Sequence, residues 1–219
     1  LDLPTVETGD DSNWLLSDFQ MGEGPQFVSQ IRAGIEVTAE RDARLLVFSG
    51  GRTRGGGAEA ESASYRRLAQ RMQWFGWSKV VGSSYVEEFA RDSFENLLFG
   101  ICRFREIVGS YPGRIHVVSW PFKQQRFDYH AESLRLPEGV FNFHGVGQAR
   151  EEGGAVVREA RTLAAFRRDA YGVHEPLAGK RERRCAVDGR GRYVKSCPEL
   201  GDFLAFTGRG FYSGPLPWV

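Results

Sequence analysis

The sequence has little of what marks disulfide-rich, membrane-spanning or nucleic-acid-binding proteins. Its 219 residues include only three cysteines, Cys102, Cys185 and Cys197, which are too few and too scattered for a disulfide scaffold or a zinc site. No apolar run approaches the roughly 20 residues that a membrane helix needs. A formal net charge of +1 gives no electrostatic basis for binding nucleic acid. We therefore predict unpaired cysteines, a reducing and cytoplasmic setting, no membrane segment in this chain and no nucleic-acid partner.

The sequence does contain enough apolar material for one α/β domain. A hydrophobic fraction of 41%, with 16 Phe and 5 Trp, argues against disorder. Short apolar runs typical of strands occur at Leu45–Phe48, Lys79–Val81, Ile115–Ser119 and Val140–Phe143. Stretches with helical spacing lie between them, at about Glu59–Phe75, Ser93–Val108 and Gln124–Leu136. This alternation predicts βαβ units and a mostly parallel sheet.

Helical spacing continues on both sides of this core. Apolar residues from Phe27 to Val37 predict a helix that ends near Asp42, and a further helix is predicted over about Ala155–Tyr171. The basic run Lys180-Arg181-Glu182-Arg183-Arg184 is predicted to be a solvated loop rather than a phosphate or nucleic-acid patch.

The first candidate binding motif is the glycine-rich turn Ser49-Gly50-Gly51-Arg52-Thr53, which follows the apolar run at Leu45–Phe48. A strand that ends this way places backbone N–H groups beside a helix start, which suits an anion or a polar cofactor. Arg52 and Thr53 add anion-binding groups to the same loop. The alternative is a plain tight turn, and the motif is neither GxGxxG nor a P-loop.

The second motif crowds polar residues around a predicted helix start, in Glu87-Glu88-Phe89-Ala90-Arg91-Asp92-Ser93-Phe94-Glu95-Asn96. Asp92 and Glu95 have the spacing of a capping box. A cap alone leaves Glu87, Glu88, Arg91 and Asn96 unexplained. Carboxylates in this position could hold ribose hydroxyls, coordinate Mg²⁺ or act as a general base, for which Asp92 and Glu88 are the candidates. Cap alone and cap plus site both remain open.

The third motif lies at the end of the Ile115–Ser119 run. Lys123, Arg126 and His130 are spaced by three and four residues, so they share one helix face that could meet a phosphate or carboxylate. Ser119, at the strand end, belongs to the same candidate site. An ordinary solvated helix is the alternative. The other histidines have no metal-ligand spacing, and no metal site is assigned.

These motifs resemble those of the YdcF-like family (the SanA/ElyC-like proteins, the "domain of unknown function 218" group), especially its fungal branch. The matching segments are Phe48–Arg54, Ser64–Ala69, Glu87–Phe99, Arg103–Glu106, Val117–Ser119, Phe122–Lys123, Arg126–Phe127 and His130. The resemblance spans roughly Trp14 to Gly147, with fainter agreement at Ser196–Glu199 and Leu216–Trp218.

The resemblance implies a Rossmann-like three-layer α/β sandwich with a central, mostly parallel sheet. It implies one domain, with a core over about 14–147, a helical and irregular extension over about 150–219, and the family's first strand missing. A Ser-Glu-Ala element of the family aligns with Ala60-Glu61-Ser62, so Glu61 joins the candidate site, with Glu59 as a competing register. Activity is not implied, although a bacterial member of the family binds S-adenosylmethionine.

Together, residues and resemblance predict a small-molecule site at the carboxyl ends of the strands. The expected ligand is nucleotide-like, such as S-adenosylmethionine. One alternative is a hydrolase or transferase acting on a phosphorylated substrate, with a divalent metal and with Arg126 as a charge clamp. The other is a non-catalytic scaffold domain. Residues expected to converge in one cleft are Ser49–Thr53, Glu61, Asp92, Ser93, Ser119, Lys123 and Arg126. Asn96 and His130 are further candidate ligand-binding residues.

Overall fold

The computed structural model describes residues 24–41, 43–52, 59–148, 154–184 and 187–219. The predictions for Asp42, Thr53 and Cys185, and for the segment from Trp14 to residue 23, lie outside these ranges. Within them the chain has a mixed α/β fold, which confirms the predicted class. All of the described helices are too short or too polar to cross a lipid bilayer.

Helices and strands alternate through the first two thirds of the described chain. The α-helices are α1 (Gly24–Glu40), α2 (Glu61–Arg71), α3 (Ser93–Val108), α4 (Gln124–Ser133), α5 (Ala155–Arg168), α6 (Leu177–Arg184), α7 (Arg190–Ser196) and α8 (Gly201–Ala205). The strands are β1 (Leu46–Ser49), β2 (Ser84–Glu87), β3 (Ile115–Ser119) and β4 (Phe141–Gly145). Short 3-10 helices lie at Gln73–Gly76, Ser78–Ser83, Pro121–Lys123 and Pro198–Leu200.

The central helix α3 has the bounds that its sequence predicts, because both of its ends carry strong signals. The Asp92 side chain accepts a hydrogen bond from the N–H of Glu95 and caps the first turn. Gly109, with φ of 85°, ends the helix in the left-handed conformation that glycine adopts without strain. Between these ends, apolar residues at helical spacing are buried.

The four strands form two parallel pairs instead of one sheet. β1 pairs with β2, with Ser49 opposite Glu87, and β3 pairs with β4, with Ser119 opposite Gly145. Among the described residues each strand has one strand neighbour. Helix α1 packs against both β1 and β3. Among the described residues, the predicted single central sheet is therefore seen as two separate parallel pairs that contact the same helix.

Two hydrophobic clusters stabilise the fold. The smaller cluster packs α1 and α2 against β1, around Ile35 and Phe48. The larger one surrounds α3 and includes residues from α4 to the C-terminal end, such as Phe166 and Leu216. Cys102 is fully buried there, as predicted for a thiol on an apolar helix face. Cys102 and Cys197 are both unpaired.

Two local predictions are wrong. The run Lys79–Val81 lies in a 3-10 helix, and the strand follows it at Ser84–Glu87. The basic run at Lys180–Arg184 is part of helix α6 instead of a solvated loop. Arg181 is buried there because its guanidinium pairs with carboxylates of α3 and its N-cap, which compensates the desolvated charge.

Candidate functional site

The N-terminus of α3 carries a buried network of charges. Asp92 Oδ1 accepts from the N–H of Glu95 at 3.0 Å, and Oδ2 accepts from Arg181 Nε at 2.6 Å. The Asp92 side chain is 8% exposed and that of Arg181 is 4% exposed. Although burial opposes ionisation, Arg181 and the helix N–H lower the pKa of Asp92 to about 2. Asp92 is therefore both the predicted cap and one half of a buried ion pair.

Ser93 and His130 meet next to this ion pair. Ser93 Oγ lies 2.8 Å from His130 Nε2, which joins the first turn of α3 to α4. His130 is fully buried, and the rings of Phe94 and Phe166 pack edge-on against its imidazole. Burial lowers the pKa of His130 to about 3 despite the nearby charge of Asp92. The imidazole is therefore neutral at physiological pH.

Arg126, one turn before His130 on α4, pairs with Glu159 of α5. Arg126 Nη2 lies 2.8 Å from Glu159 Oε2, and the two side chains are 10% and 11% exposed. Burial raises the pKa of Glu159, while Arg126 and Lys123 act in the opposite direction. Asp92 also interacts electrostatically with Arg126, so the two ion pairs belong to one network. We call this network the α3 cluster; its members are Asp92, Ser93, Arg126, His130, Glu159 and Arg181.

The α3 cluster concentrates buried polar atoms that lack a hydrogen-bond partner among the described residues. Eight such side-chain atoms occur in that part of the chain, and four belong to this cluster. The four atoms are Arg126 Nε, His130 Nδ1, Glu159 Oε1 and Arg181 Nη2. Native proteins pair nearly all buried polar atoms, so this concentration of unpaired atoms makes the α3 cluster the candidate site.

A second network lies on the other side of the first turn of α3, around Glu87. Ser49 Oγ lies 3.0 Å from Glu87 Oε2 and 3.1 Å from Asn96 Oδ1. The Tyr193 hydroxyl donates to Glu87 Oε1 at 3.1 Å, and the N–H groups of Phe89 and Ala90 donate to the same carboxylate. Burial raises the pKa of Glu87, and these hydrogen bonds partly offset the rise. Through its hydrogen bonds with Ser49 and Tyr193, Glu87 of β2 connects this strand to β1 and α7.

The glycine loop packs closely against the end of β2. The N–H of Gly50 donates to Glu87 O at 3.0 Å, and the N–H of Gly51 donates to Ala90 O at 2.8 Å. A Cβ at Gly50 would lie 3.1 Å from Glu61 Oε2, so Glu61 is adjacent to this loop as the alignment predicts. Both amides are used within the protein, and in this arrangement they do not face a ligand.

The predicted site residues thus fall into two adjacent groups instead of one cleft. Asp92, Ser93, Arg126 and His130 come together in the α3 cluster, with Lys123 close enough to influence Glu159. The group around Glu87 contains Ser49, Gly50, Gly51, Glu61 and Asn96.

The remaining predicted residues lie at the edges of these groups or outside the described ranges. Arg52 is exposed, and Thr53 is outside the described residues. The backbone carbonyl of Glu88 approaches Gly51, and the Ser119 carbonyl accepts from the N–H of Val146.

Sequence reasoning missed Glu159, Arg181 and Tyr193. Arg181 contacts a residue 89 positions away, and Tyr193 contacts one 106 positions away. Such pairings leave no local pattern. The one available signal is that Glu159 is the single carboxylate of an otherwise basic and apolar helix α5.

One surface cavity is lined by residues outside the α3 cluster. A surface cavity of about 540 Å³ lies between α3 and α7, away from the α3 cluster, and is lined by Glu106, Gly191, Arg192, Lys195 and Ser196. In the described part of the chain, no group of three or more His, Cys, Asp or Glu side chains could hold a metal ion. Helices α5 and α6 contribute Glu159 and Arg181 to the α3 cluster.

Comparison with known proteins finds a similar but uncharacterised protein. The chain is 24% identical over 241 residues to the uncharacterised protein YOR238W of Saccharomyces cerevisiae, covering 86% of this chain and 79% of the yeast protein. No family model matches the chain, and no solved structure matches it.

Proposed function

We propose that this protein binds a small anionic, nucleotide-like ligand at the α3 cluster. The observation that carries the proposal is the concentration of four unpartnered, buried polar atoms in that cluster. Two of them belong to the guanidinium groups of Arg126 and Arg181, which bind phosphates and carboxylates well. The start of helix α3 adds partial positive charge at the same place.

The balance of charges favours a phosphorylated ligand. Burial and the neighbouring cations Arg184 and Arg126 lower the pKa of Lys180, while Asp92 and Glu159 act in the opposite direction, so several cations lie close together here. Lys123 adds a further cation beside Glu159. S-adenosylmethionine, the ligand that the family resemblance implies, carries a sulfonium and an ammonium with a single carboxylate. A nucleotide phosphate therefore complements these side chains better than S-adenosylmethionine does.

A thermal-shift and calorimetry panel tests this proposal. The panel contains inorganic phosphate, AMP, ATP with and without Mg²⁺, a sugar phosphate and S-adenosylmethionine. A ligand that binds only the folded protein at 100 times its Kd stabilises it by about 2.7 kcal/mol. We expect phosphorylated compounds to give the largest shifts.

The matched variants are Arg126→Gln and Arg168→Gln, since Arg168 is exposed at the end of α5. Arg126→Gln should abolish most of the shift and Arg168→Gln should leave it unchanged. The proposal is wrong if no compound stabilises the wild-type protein, or if both variants respond like the wild type.

A hydrolase or transferase acting on a phosphorylated substrate is the second candidate, because Ser93 Oγ and His130 Nε2 are 2.8 Å apart. This distance is that of a nucleophile and its general base. In such a reaction Ser93 Oγ would attack phosphorus while the bond from phosphorus to the leaving-group oxygen breaks. His130 would take the hydroxyl proton and pass it to that leaving oxygen, and Arg126 would stabilise the charge on the phosphoryl oxygens. Mass spectrometry after incubation with a phosphorylated substrate tests this candidate: a phosphoryl adduct at Ser93, absent from Ser93→Ala, would support it.

We also propose that the chain is a YdcF-like protein with a Rossmann-like arrangement, working in the cytoplasm. The order of parallel strands and helices supports the arrangement. The free thiols of Cys102 and Cys197 support a reducing compartment.

A further inference from the structure

We propose that Glu159 is an intramolecular occupant of the anion site, holding Arg126 until a phosphate displaces it. This inference rests on the proposed function and adds a means of regulation to the same site. It gives helix α5 the role of supplying a carboxylate that competes with the ligand.

The ion pair between Arg126 and Glu159 leaves hydrogen-bonding atoms unpaired on both side chains. A guanidinium and a carboxylate can make two parallel hydrogen bonds. Here the ion pair joins Arg126 Nη2 to Glu159 Oε2 at 2.8 Å. Arg126 Nε and Glu159 Oε1 are both buried without a partner among the described residues. The pair therefore leaves hydrogen-bonding capacity unused on both sides, and a ligand with three oxygens could use the part that belongs to Arg126.

The surroundings of Glu159 also resemble a site for a more highly charged anion. Arg126 of α4, Lys123 of the preceding 3-10 helix and Lys180 of α6 all act electrostatically on this carboxylate. The carboxylate of Glu159 thus lies within the influence of three cations, two of which, Arg126 and Lys180, also interact with Asp92. A phosphate dianion would interact with Arg126 more strongly than a single carboxylate charge does, while the displaced carboxylate would regain its hydration in solvent.

Titration calorimetry with inorganic phosphate at neutral pH tests the inference. The variant is Glu159→Gln, which keeps the shape of the side chain and removes its charge. The control is Glu138→Gln, which makes the same change of net charge at an exposed position before β4. We expect Glu159→Gln to bind phosphate about tenfold more tightly than the wild type, because it removes one like charge next to the anion. Glu138→Gln should bind as the wild type does.

Weaker phosphate binding by Glu159→Gln would overturn the inference, because that result means that Glu159 positions Arg126 for the ligand. Unchanged binding would overturn it as well. If the wild-type protein binds phosphate, either result leaves the proposed function standing. Absence of phosphate binding in both proteins overturns the inference about Glu159, and the nucleotide panel then decides the proposed function separately. If Glu159→Gln does not fold, Glu159→Ala is measured instead and is expected to tighten binding in the same direction.

Discussion

Asp92 shows how one residue can combine a local and a long-range contribution to stability. An asparagine would cap α3 about as well as aspartate, so the cap alone predicts a nearly neutral Asp92→Asn. The ion pair changes this expectation, because Asn would leave Arg181 buried with much of its charge uncompensated. We predict that Asp92→Asn lowers the free energy of unfolding by about 3 kcal/mol, measured by urea denaturation.

A double-mutant cycle identifies the cause of this loss. Arg181→Met should destabilise the protein on its own, and Asp92→Asn with Arg181→Met should be more stable than the sum of the two single changes predicts. Glu36→Gln is the surface control, since its partner Arg32 is 58% exposed, and it should cost less than about 0.5 kcal/mol. Strict additivity of the Asp92 and Arg181 changes would contradict the ion-pair explanation.

His130 predicts a specific loss of stability in acid. Its pKa of about 3 in the folded protein is below that of an unfolded histidine, about 6.5. The unfolded chain therefore binds a proton that the folded protein refuses, and stability falls as the pH drops from 6.5 towards 3. Each such proton contributes a slope of about 1.4 kcal/mol per pH unit.

Replacing His130 by Gln removes the proton that the unfolded chain binds at this position. In the folded protein Asp92, with a pKa of about 2, keeps its charge between pH 6 and pH 4. Its effect on the slope is therefore expected to be the same in the wild type and in His130→Gln. We predict that the slope of unfolding free energy against pH in this window is smaller by about 1.4 kcal/mol per pH unit in His130→Gln. Chemical denaturation at several pH values measures both slopes, and equal slopes would show that His130 is protonated in the folded protein.

At the scale of elements, the close packing of the β1 and β2 ends depends on Gly51. A Cβ at this position would lie 2.6 Å from Ala90 O and 3.0 Å from Glu88 O, both of them backbone atoms. We predict that Gly51→Ala costs about 1–3 kcal/mol because the two strand ends must separate. Gly100→Ala, inside α3 with no atom within 4 Å of its added Cβ, should instead stabilise the protein by about 0.5–1 kcal/mol.

Melting curves of the two alanine variants decide this prediction. The changes should move the melting temperature in opposite directions. Equal shifts of the melting temperature would mean that the ends of β1 and β2 separate without cost. The structural reason for glycine at position 51 would then be removed.

Elements with local signals could be predicted from the sequence, and those held by distant contacts could not. Helix α3 and strand β3 have the predicted bounds, because a cap, a terminal glycine and apolar spacing are all local features. The run Lys180–Arg184 of helix α6 predicts a loop because its basic residues look solvated. Its burial depends on Asp92 and Glu95, more than 80 residues earlier. The candidate site follows the same division, with Asp92 and Arg126 found by local spacing and Glu159 and Arg181 missed.

At the scale of the whole molecule, the C-terminal third completes the main hydrophobic core. Phe166, Tyr193, Leu200 and Leu216 are all part of the cluster around α3. We predict that a chain ending at Gln148 loses its cooperative unfolding transition, because the apolar face of α3 would be exposed to water. Removing only Val219, which is 76% exposed, should leave the transition unchanged. Near-ultraviolet circular dichroism during heating measures both, and a cooperative transition in the short chain would show that residues 1–148 fold alone.

The division of the strands into two pairs has a consequence for amide hydrogen exchange. In β1 the N–H groups of Phe48 and Gly50 point towards β2, whereas those of Val47 and Ser49 point away from it. We therefore predict a comb-like pattern in deuterium oxide, in which Val47 and Ser49 exchange rapidly between slowly exchanging neighbours. Uniform protection along β1 would mean that further polypeptide lies against its open edge and that the two pairs are halves of one continuous sheet.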